Sequence, residues 1–185
     1  TLSPLPAKIR ELPRSVNARW EWKQTPASLL FRSHLPRPDE EARLFFDITW
    51  TPPANVQLSV GARQGEGNLD LDNTAGQYDL HTATPESATT THYFFASRRN
   101  HTLHDAEFNA HLIQVLHDTF VNEDGSILEA VQEEMGTTDF FGLKPALMSN
   151  DVAPVKVRRL LGRLIEEETT RFTETSVIAI EAATR

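Results

Sequence analysis

The sequence predicts an α+β domain in which helices pack on one face of a curved antiparallel sheet. Strand-like segments recur between residues 42 and 98, and apolar residues at helical spacing dominate the chain after them. The chain has 185 residues, of which 39% are hydrophobic and 24% are charged, and no internal repeat is present. This size and composition are typical of a single globular domain with one core.

The first predicted strands follow from side-chain alternation. A short candidate strand at residues 18–23 precedes a weakly apolar segment at residues 27–31. From Ala42 onward the apolar side chains alternate with their neighbours, and Thr51-Pro52-Pro53 ends this strand. A further alternation then leads into a glycine-rich turn at residues 65–68 and comprises Val56, Leu58 and Val60.

Two later segments are predicted to form an antiparallel strand pair. They span Gln77–Thr84 and Thr89–Arg98, and the second is rich in Thr, Tyr and Phe, which favour strands. The intervening Pro85-Glu86-Ser87 has the chemistry of a turn. We therefore expect a hairpin here.

Helices are predicted in the second half of the chain. Asp105 can cap a helix whose apolar stripe runs from Phe108 to Phe120, and a second helix is expected over residues 125–135. Asp151 and Pro154 form a good start for a long third helix. The Ser176–Ile180 run has a strand-like composition, but the sequence assigns it no position in the sheet.

Composition excludes several classes of function. The net charge of −8 and the pI near 5.3 argue against binding to nucleic acid or to an anionic membrane surface. We expect a soluble, cytoplasmic protein, because no apolar run is long enough to span a bilayer and no signal peptide is recognisable. The absence of cysteine excludes disulfides, thiolate zinc sites and an iron–sulfur cluster ligated within this chain. The start at Thr1 in a proline-rich stretch suggests a fragment of a longer protein.

Asp124 has two possible roles. It lies between the first two predicted helices, where an acidic residue commonly caps the backbone and interacts with the helix dipole. Alternatively, it is the carboxylate of a 2-His-1-carboxylate site, in which three protein ligands hold ferrous iron and leave positions open for dioxygen. The residues alone favour the capping role.

Seven histidines are candidate partners for a metal or a substrate. His101 and His104 are close in sequence, but a solvated loop is the better interpretation for them. His81 and His92 would approach each other across the predicted hairpin if its turn were centred on Glu86 and Ser87. A histidine in a strand is nevertheless more often a structural residue. The other histidines are His34, His111 and His117.

Four segments in order resemble one enzyme family. Residues 81–86 and 92–100 are similar to the T-P-E…H-Y-F…R-N signature of Rieske-type non-haem iron oxygenases of the vanillate O-demethylase and dicamba monooxygenase type. Residues 122–130 resemble the family's E-D-x-x-x-x-E-A segment, and residues 145–159 resemble its C-terminal ending. The match extends from Gln77 to Glu168 and is far more specific than any single segment.

The resemblance implies roles for particular residues. It makes Asp124 the carboxylate ligand of the mononuclear iron and His81 a substrate-contacting residue. Val115 corresponds to a pocket position that is aromatic in the dicamba enzyme, and Leu58 falls near the position of a polar pocket residue. The substrate is therefore expected to differ from that of the dicamba enzyme.

The resemblance also implies an architecture and partners. The family fold is a helix-grip (START/Bet v1-like) fold, and residues 1–185 would be the C-terminal part of the oxygenase catalytic domain, without the Rieske domain or the iron-binding histidine pair. The intact enzyme would use mononuclear Fe(II) and a Rieske [2Fe–2S] cluster, receive electrons from a reductase or ferredoxin, and act on an aromatic substrate as a homotrimer. This chain alone is expected to bind neither cofactor and to be inactive.

A rival hypothesis uses the same fold without metal. A cofactor-free helix-grip domain could bind a small hydrophobic ligand in the same cavity. In that case Asp124 would only cap a helix, and His81 would be structural.

Overall fold

A computed structural model describes residues 6–27, 29–32 and 34–183, and its central element is a six-stranded sheet. Each strand pairs antiparallel with the next in sequence, so the sheet is an open meander with β1 and β6 at its edges. The strands are β1 (Lys8–Leu12), β2 (Ser15–Gln24), β3 (Ala42–Thr51), β4 (Asn55–Arg63), β5 (Ala75–Pro85) and β6 (Thr91–Arg99). The predicted antiparallel pairing of the last two strands is confirmed.

Alternation of side chains gives the sheet an inner and an outer face. We call the face that carries Val16, Trp50 and His81 the inner face. One cross-strand row on it contains Val16, Trp50, Val56, His81 and Phe95. Apolar cores therefore occupy the β2–β4 side of this face, whereas polar residues occupy the β5–β6 side.

Two hydrophobic clusters cover the inner face. The first surrounds the short helix α1 (Leu29–Arg32), where Phe31 is 1% exposed and packs with Leu35, Leu44 and Val60. The second joins Val16 and Trp50 to the C-terminal helix. The weakly apolar segment predicted at residues 27–31 thus contributes to the core, although Ser28 and residues 1–5, with Thr1 and Pro4, lie outside the described residues.

The C-terminal helix α4 (Val152–Ala183) lies against β2. A 3-10 turn at Ser149–Asp151 precedes it, in agreement with the predicted start at Asp151. Val155 and Leu160 are the buried side chains of its first turns. The α+β helix-grip prediction is confirmed, and the Ser176–Ile180 run belongs to this helix rather than to a strand.

The helices between the sheet and α4 form a continuous helical stretch. Helix α2 (Ala106–His117) is capped by Asp105, whose side chain accepts from the Phe108 N–H at 2.9 Å, as predicted. A π-helical segment (Asp118–Asp124) joins it to α3 (Gly125–Met135). The second helix predicted over residues 125–135 is confirmed, and the backbone also stays helical through the segment that joins it to α2.

In the part of the chain that the structure describes, no helix combines the length and apolar character needed to cross a membrane.

Candidate active site on the inner face of strands β5 and β6

His81 and Tyr93 form the centre of the candidate site. Phe95 is the partner of His81 in the ladder and Tyr93 lies two residues away, so both face the same side of the sheet. The Nδ1 atom of His81 lies 2.5 Å from the Tyr93 hydroxyl, and the two rings are stacked with centroids 5.9 Å apart. The hydroxyl therefore fixes the orientation of the imidazole.

Phe120 connects the helices to this pair. It lies in the π-helical segment, and its ring centroid is 5.1 Å from that of His81 and 4.8 Å from that of Phe95. A π-helical turn rotates the residues that follow it relative to an α-helix and is frequent at functional sites. Here the segment brings an aromatic side chain from the helices onto the strand residues.

Asp124 ends the π-helical segment beside the same pair. It precedes α3, but its side chain makes no capping hydrogen bond and its backbone is already helical, with φ −65° and ψ −41°. Its negative charge acts on both His81 and Tyr93 and favours a higher pKa for each of them. The structure therefore does not support the capping role that the residues alone favoured.

Burial determines the protonation states of the pair. Desolvation lowers the pKa of His81 below its ordinary value, and the opposing effects of Asp79 and Asp124 are smaller. Desolvation, together with the same two carboxylates, raises the pKa of Tyr93. At neutral pH the site therefore presents an uncharged imidazole hydrogen-bonded to an uncharged phenol.

A buried polar pair on β5 lies next to His81 and was missed by the sequence analysis. Gln77 and Asp79 are each 5% exposed, and Gln77 Nε2 donates to both carboxylate oxygens of Asp79 at 2.9 and 2.8 Å. The two residues share a face with His81 because side chains two and four positions apart in a strand point the same way. The alternate positions of Gln77, Asp79 and His81 in the sequence were the signal that could have placed all three on one face.

The other two predicted pocket residues are placed separately. Leu58 is the partner of Asp79 in the ladder between β4 and β5, and it packs against the cluster around α1. It is therefore a diagonal neighbour of His81, on the adjacent strand and on the same face of the sheet. Val115 lies on α2, upstream of Phe120, and is 42% exposed.

The remaining histidines do not extend this site. His92 is the partner of Thr84 and faces the outer side, where its Nε2 is 3.6 Å from Glu86, so the expected approach of His81 and His92 was wrong. The rings of His101 and His34 are tilted by 38° with centroids 3.9 Å apart, and burial together with His34 and Arg99 lowers the pKa of His101 to about 4. Both His101 and His104 lie in the loop between β6 and α2, as predicted, but only His104 is exposed, whereas His101 is half-buried.

Asp124 is compatible with a metal-ligating role but does not complete a site by itself. Within the described residues, no three side chains of His, Cys, Asp or Glu come together in a way that could hold a metal ion. A carboxylate oxygen without a capping bond is a suitable ligand for a divalent transition metal. The described residues therefore offer one ligand of the three that such a site requires.

Comparison with known proteins places this geometry in a family. A profile of the vanillate O-demethylase oxygenase C-terminal domain matches residues 1–167. The chain belongs to this family. Over the matched length, the vanillate O-demethylase oxygenase C-terminal domain includes the whole sheet, the π-helical segment and the first half of α4.

The oxygenase components of two enzymes are similar to this chain in sequence. The chain is 36% identical over 141 residues to the oxygenase component of chloroacetanilide N-alkylformylase from Rhizorhabdus wittichii, and these residues are 76% of this chain and 40% of that protein. It is 34% identical over 122 residues to the oxygenase component of dicamba O-demethylase from Stenotrophomonas maltophilia, covering 66% and 35%. The chain thus spans about two-fifths of the length of these relatives.

Solved structures confirm the fold of this C-terminal domain. Dicamba monooxygenase with non-heme iron and dicamba superposes with a TM-score of 0.76 at 24% identity, over 91% of this chain and 51% of the other. The complex with 3,6-dichlorosalicylic acid gives a TM-score of 0.77 at 24% identity, over 88% and 47%. The metal-free alternative gains no support from these relatives.

Proposed function

We propose that residues 1–185 form the C-terminal part of the catalytic domain of a Rieske-type terminal oxygenase. The full-length protein would activate dioxygen at a mononuclear non-haem iron and demethylate or monooxygenate an aromatic substrate. The main support is the position of Asp124, which ends a π-helical segment beside the His81–Tyr93 pair and caps no helix. Family membership supplies the reaction class.

In this proposal Asp124 is the carboxylate ligand of the iron. The other two ligands would come from a histidine pair outside the residues of this chain, because a single carboxylate does not hold ferrous iron tightly. The bound iron would supply the oxygen-activating chemistry. The contribution of Asp124 is to place one negatively charged oxygen at a fixed position next to the substrate-contacting strand.

His81 would orient the substrate. A neutral imidazole carries one N–H, so if the Tyr93 hydroxyl donates to Nδ1, the proton resides on Nε2. The Nε2–H group is then a fixed donor for a substrate oxygen. Tyr93 acts as a positioning residue, because it holds the tautomer and the ring orientation of His81.

Leu58 and Val115 would form apolar parts of the pocket wall. Leu58 lies on the inner face beside Asp79, and Val115 projects from the helix that precedes the π-helical segment. Apolar walls with a few fixed polar groups are the usual form of a small-molecule site. An aromatic substrate would therefore be enclosed by aliphatic side chains and oriented by His81.

The proposal includes redox partners. The curated relatives are oxygenase components, and by the same logic the full-length protein would receive electrons from a reductase or ferredoxin through its own Rieske [2Fe–2S] cluster. We also propose that it assembles as a homotrimer. This chain has no cysteine, so the cluster would be held by other parts of the protein.

Turnover of the full-length protein tests the reaction class. With a reductase, NADH and dioxygen, a panel of aromatic methyl ethers and N-alkyl anilides is expected to yield either a dealkylated product with an aldehyde that carries oxygen from dioxygen, or a hydroxylated product that carries it. Asp124→Ala should abolish this turnover without loss of the fold. Ligand binding by an iron-free protein with no dioxygen-dependent product would contradict the proposal and favour the metal-free alternative.

A further inference from the structure

We infer that this site selects uncharged aromatic substrates over aromatic carboxylates, and that Asp79 determines this specificity. The inference rests on the proposed function, because it concerns the substrate that His81 would contact. Its basis is the distribution of charged side chains around His81. The proposed reaction does not by itself require this distribution.

Asp79 lies within the site but is not exposed to solvent. It occupies the inner face of β5 between Gln77 and His81, opposite Leu58 on one side and Ser97 on the other. Only 5% of its surface is exposed. Its charge acts on both members of the central pair, because it opposes the lowering of the His81 pKa by desolvation and adds to the raising of the Tyr93 pKa.

The Asp79 carboxylate is not neutralised by a cation. Its two oxygens share the N–H donors of the Gln77 amide, an arrangement that suits an ionised carboxylate with two equivalent acceptors. Among the described residues, the ion pairs of lysine and arginine involve other carboxylates. An amide partner satisfies hydrogen bonding but leaves the negative charge in place.

Arg99 is the cation closest in the ladder, but its hydrogen bonds run to the residues that follow β6, and its buried Nε has no partner among the described residues. It is the partner of Gln77 on the inner face of β6. Its Nη2 donates to the carbonyl of Thr102 at 2.7 Å and to the side chain of Asn109, and its guanidinium lies over Phe108 at 4.9 Å. Arg99 therefore acts on the loop and helix that follow β6, and its charge is absent from the causes that shift the pKa of His81.

The helical side of the site supplies no lysine or arginine. No lysine or arginine occurs between residues 100 and 143, whereas the π-helical segment contains Asp118, Glu123 and Asp124. In the proposed function the iron would neutralise Asp124, so Asp79 is the carboxylate acting on His81 whose charge stays uncompensated. Burial keeps His81 itself uncharged, so it offers a hydrogen bond but no positive charge.

These features would penalise an anionic ligand. Like charges brought together in a partly buried site repel strongly, and among the described residues no lysine or arginine pairs with Asp79. An uncharged aromatic ether or amide can accept the His81 hydrogen bond without this repulsion. We expect a preference of about tenfold or more for the uncharged member of a matched pair of ligands.

The test compares 4-methoxybenzamide with 4-methoxybenzoate on the iron-loaded full-length protein by calorimetry. The wild type should bind the amide at least about tenfold more tightly. Asp79→Asn should reduce this ratio severalfold by improving benzoate binding. The control Asp72→Asn, which removes a carboxylate from the exposed loop between β4 and β5, should leave the ratio unchanged.

The outcomes separate this inference from the proposed function. Equal or tighter binding of the benzoate by the wild type would overturn the inference while leaving the reaction class intact. An unchanged ratio in a folded Asp79→Asn protein would also overturn it, and the wild-type ratio alone decides the matter if that variant does not fold. A protein that neither retains iron nor yields product from any panel member would instead contradict the proposed function.

Discussion

At the residue scale, the candidate site depends on the bond between His81 and Tyr93. Tyr93→Phe removes the hydroxyl that lies 2.5 Å from His81 Nδ1 and leaves the ring in place. One hydrogen bond is worth about 0.5–1.5 kcal/mol, so we expect KM to rise about two- to tenfold while iron content stays unchanged. Steady-state kinetics of the full-length protein measures this effect.

Tyr78→Phe is the matched control for this prediction, because Tyr78 lies on β5 and faces the outer side of the sheet, away from His81. It should leave KM unchanged. An equal rise of KM in both variants would show that the hydroxyl of Tyr93 has no specific role.

His101 is predicted to make the protein sensitive to acid. Its folded-state pKa of about 4 lies below the ordinary value of 6.5, so the unfolded chain binds the proton more readily. The stability that His101 contributes is therefore complete above about pH 6.5 and is lost as the pH falls toward 4. His34 and Arg99 face His101 and enforce this direction.

His101→Phe tests the acid sensitivity. Between pH 7.5 and pH 4.5 the variant should lose less free energy of unfolding than the wild type, by on the order of 1–2 kcal/mol after allowance for solvent screening. Denaturant titrations at both pH values measure this, with His111→Gln on the exposed side of α2 as the control. Equal losses in wild type and His101→Phe would contradict it.

Sequence reasoning proposed His81 and Asp124 as site residues, but it missed the buried pair of Gln77 and Asp79 next to His81. The residues themselves favoured capping for Asp124, and only the resemblance to a family made it a ligand candidate. The capping rule fails here because the backbone is already helical at Asp124, so no free N–H groups of a helix start lie within its reach. Asp79 was missed because a buried, amide-bonded carboxylate looks the same in sequence as an exposed one.

At the scale of elements, Phe120 links the helical stretch to the sheet. Phe120→Ala removes the ring that packs on His81, Tyr93 and Phe95. Because Phe120 is only half-buried, we expect a local loss of about 1–2 kcal/mol, confined to the π-helical segment and α3. Amide hydrogen exchange should show faster exchange over residues 118–135.

Phe94→Ala is the control for this change, since Phe94 faces the outer side of β6 and is 61% exposed. It should leave the exchange of residues 118–135 unaltered. If Phe120→Ala also left that exchange unaltered, the packing of Phe120 would not hold the segment on the sheet.

Helix α4 should stabilise the sheet through Leu160. This side chain is 8% exposed and packs with Val16 and Trp50, so Leu160→Ala should reduce the free energy of unfolding by about 2–4 kcal/mol. Ile165→Ala, at a position 54% exposed on the same helix, should cost less than about 1 kcal/mol. Chemical denaturation distinguishes the two, and similar losses would contradict the proposed packing.

Side-chain periodicity predicted most of the strands and the helices, but not β1 or the segment that joins α2 to α3. The alternation from Leu44 to Trp50 identified β3, and its boundaries agree because Pro52 and Pro53 cannot continue the ladder. The helix patterns located α2 and α3, whereas the π-helical segment between them was not predicted. Sequence periodicity gives no signal that distinguishes a π-helical turn from an α-helical one.

At the scale of the whole molecule, the sheet and α4 form the stable body and the α2–α3 stretch is weakly attached. Neither α2 nor α3 has a buried residue, and apolar side chains such as Ile113, Ile127 and Leu128 are more than 60% exposed. The class of fold was predictable because period-2 and period-3.6 patterns occupy separate halves of the chain. The positions of α2 and α3 against the sheet were not, because few contacts determine them.

The central claim is that Asp124 ligates the mononuclear iron of the full-length protein. The most direct measurement is the iron content of Asp124→Ala, with the Rieske cluster as an internal standard and Glu123→Ala as the neighbouring control. Loss of one ligand of three should reduce mononuclear iron to about a tenth or less of the control, while the cluster is retained. Equal mononuclear iron in the two variants would contradict the assignment of Asp124.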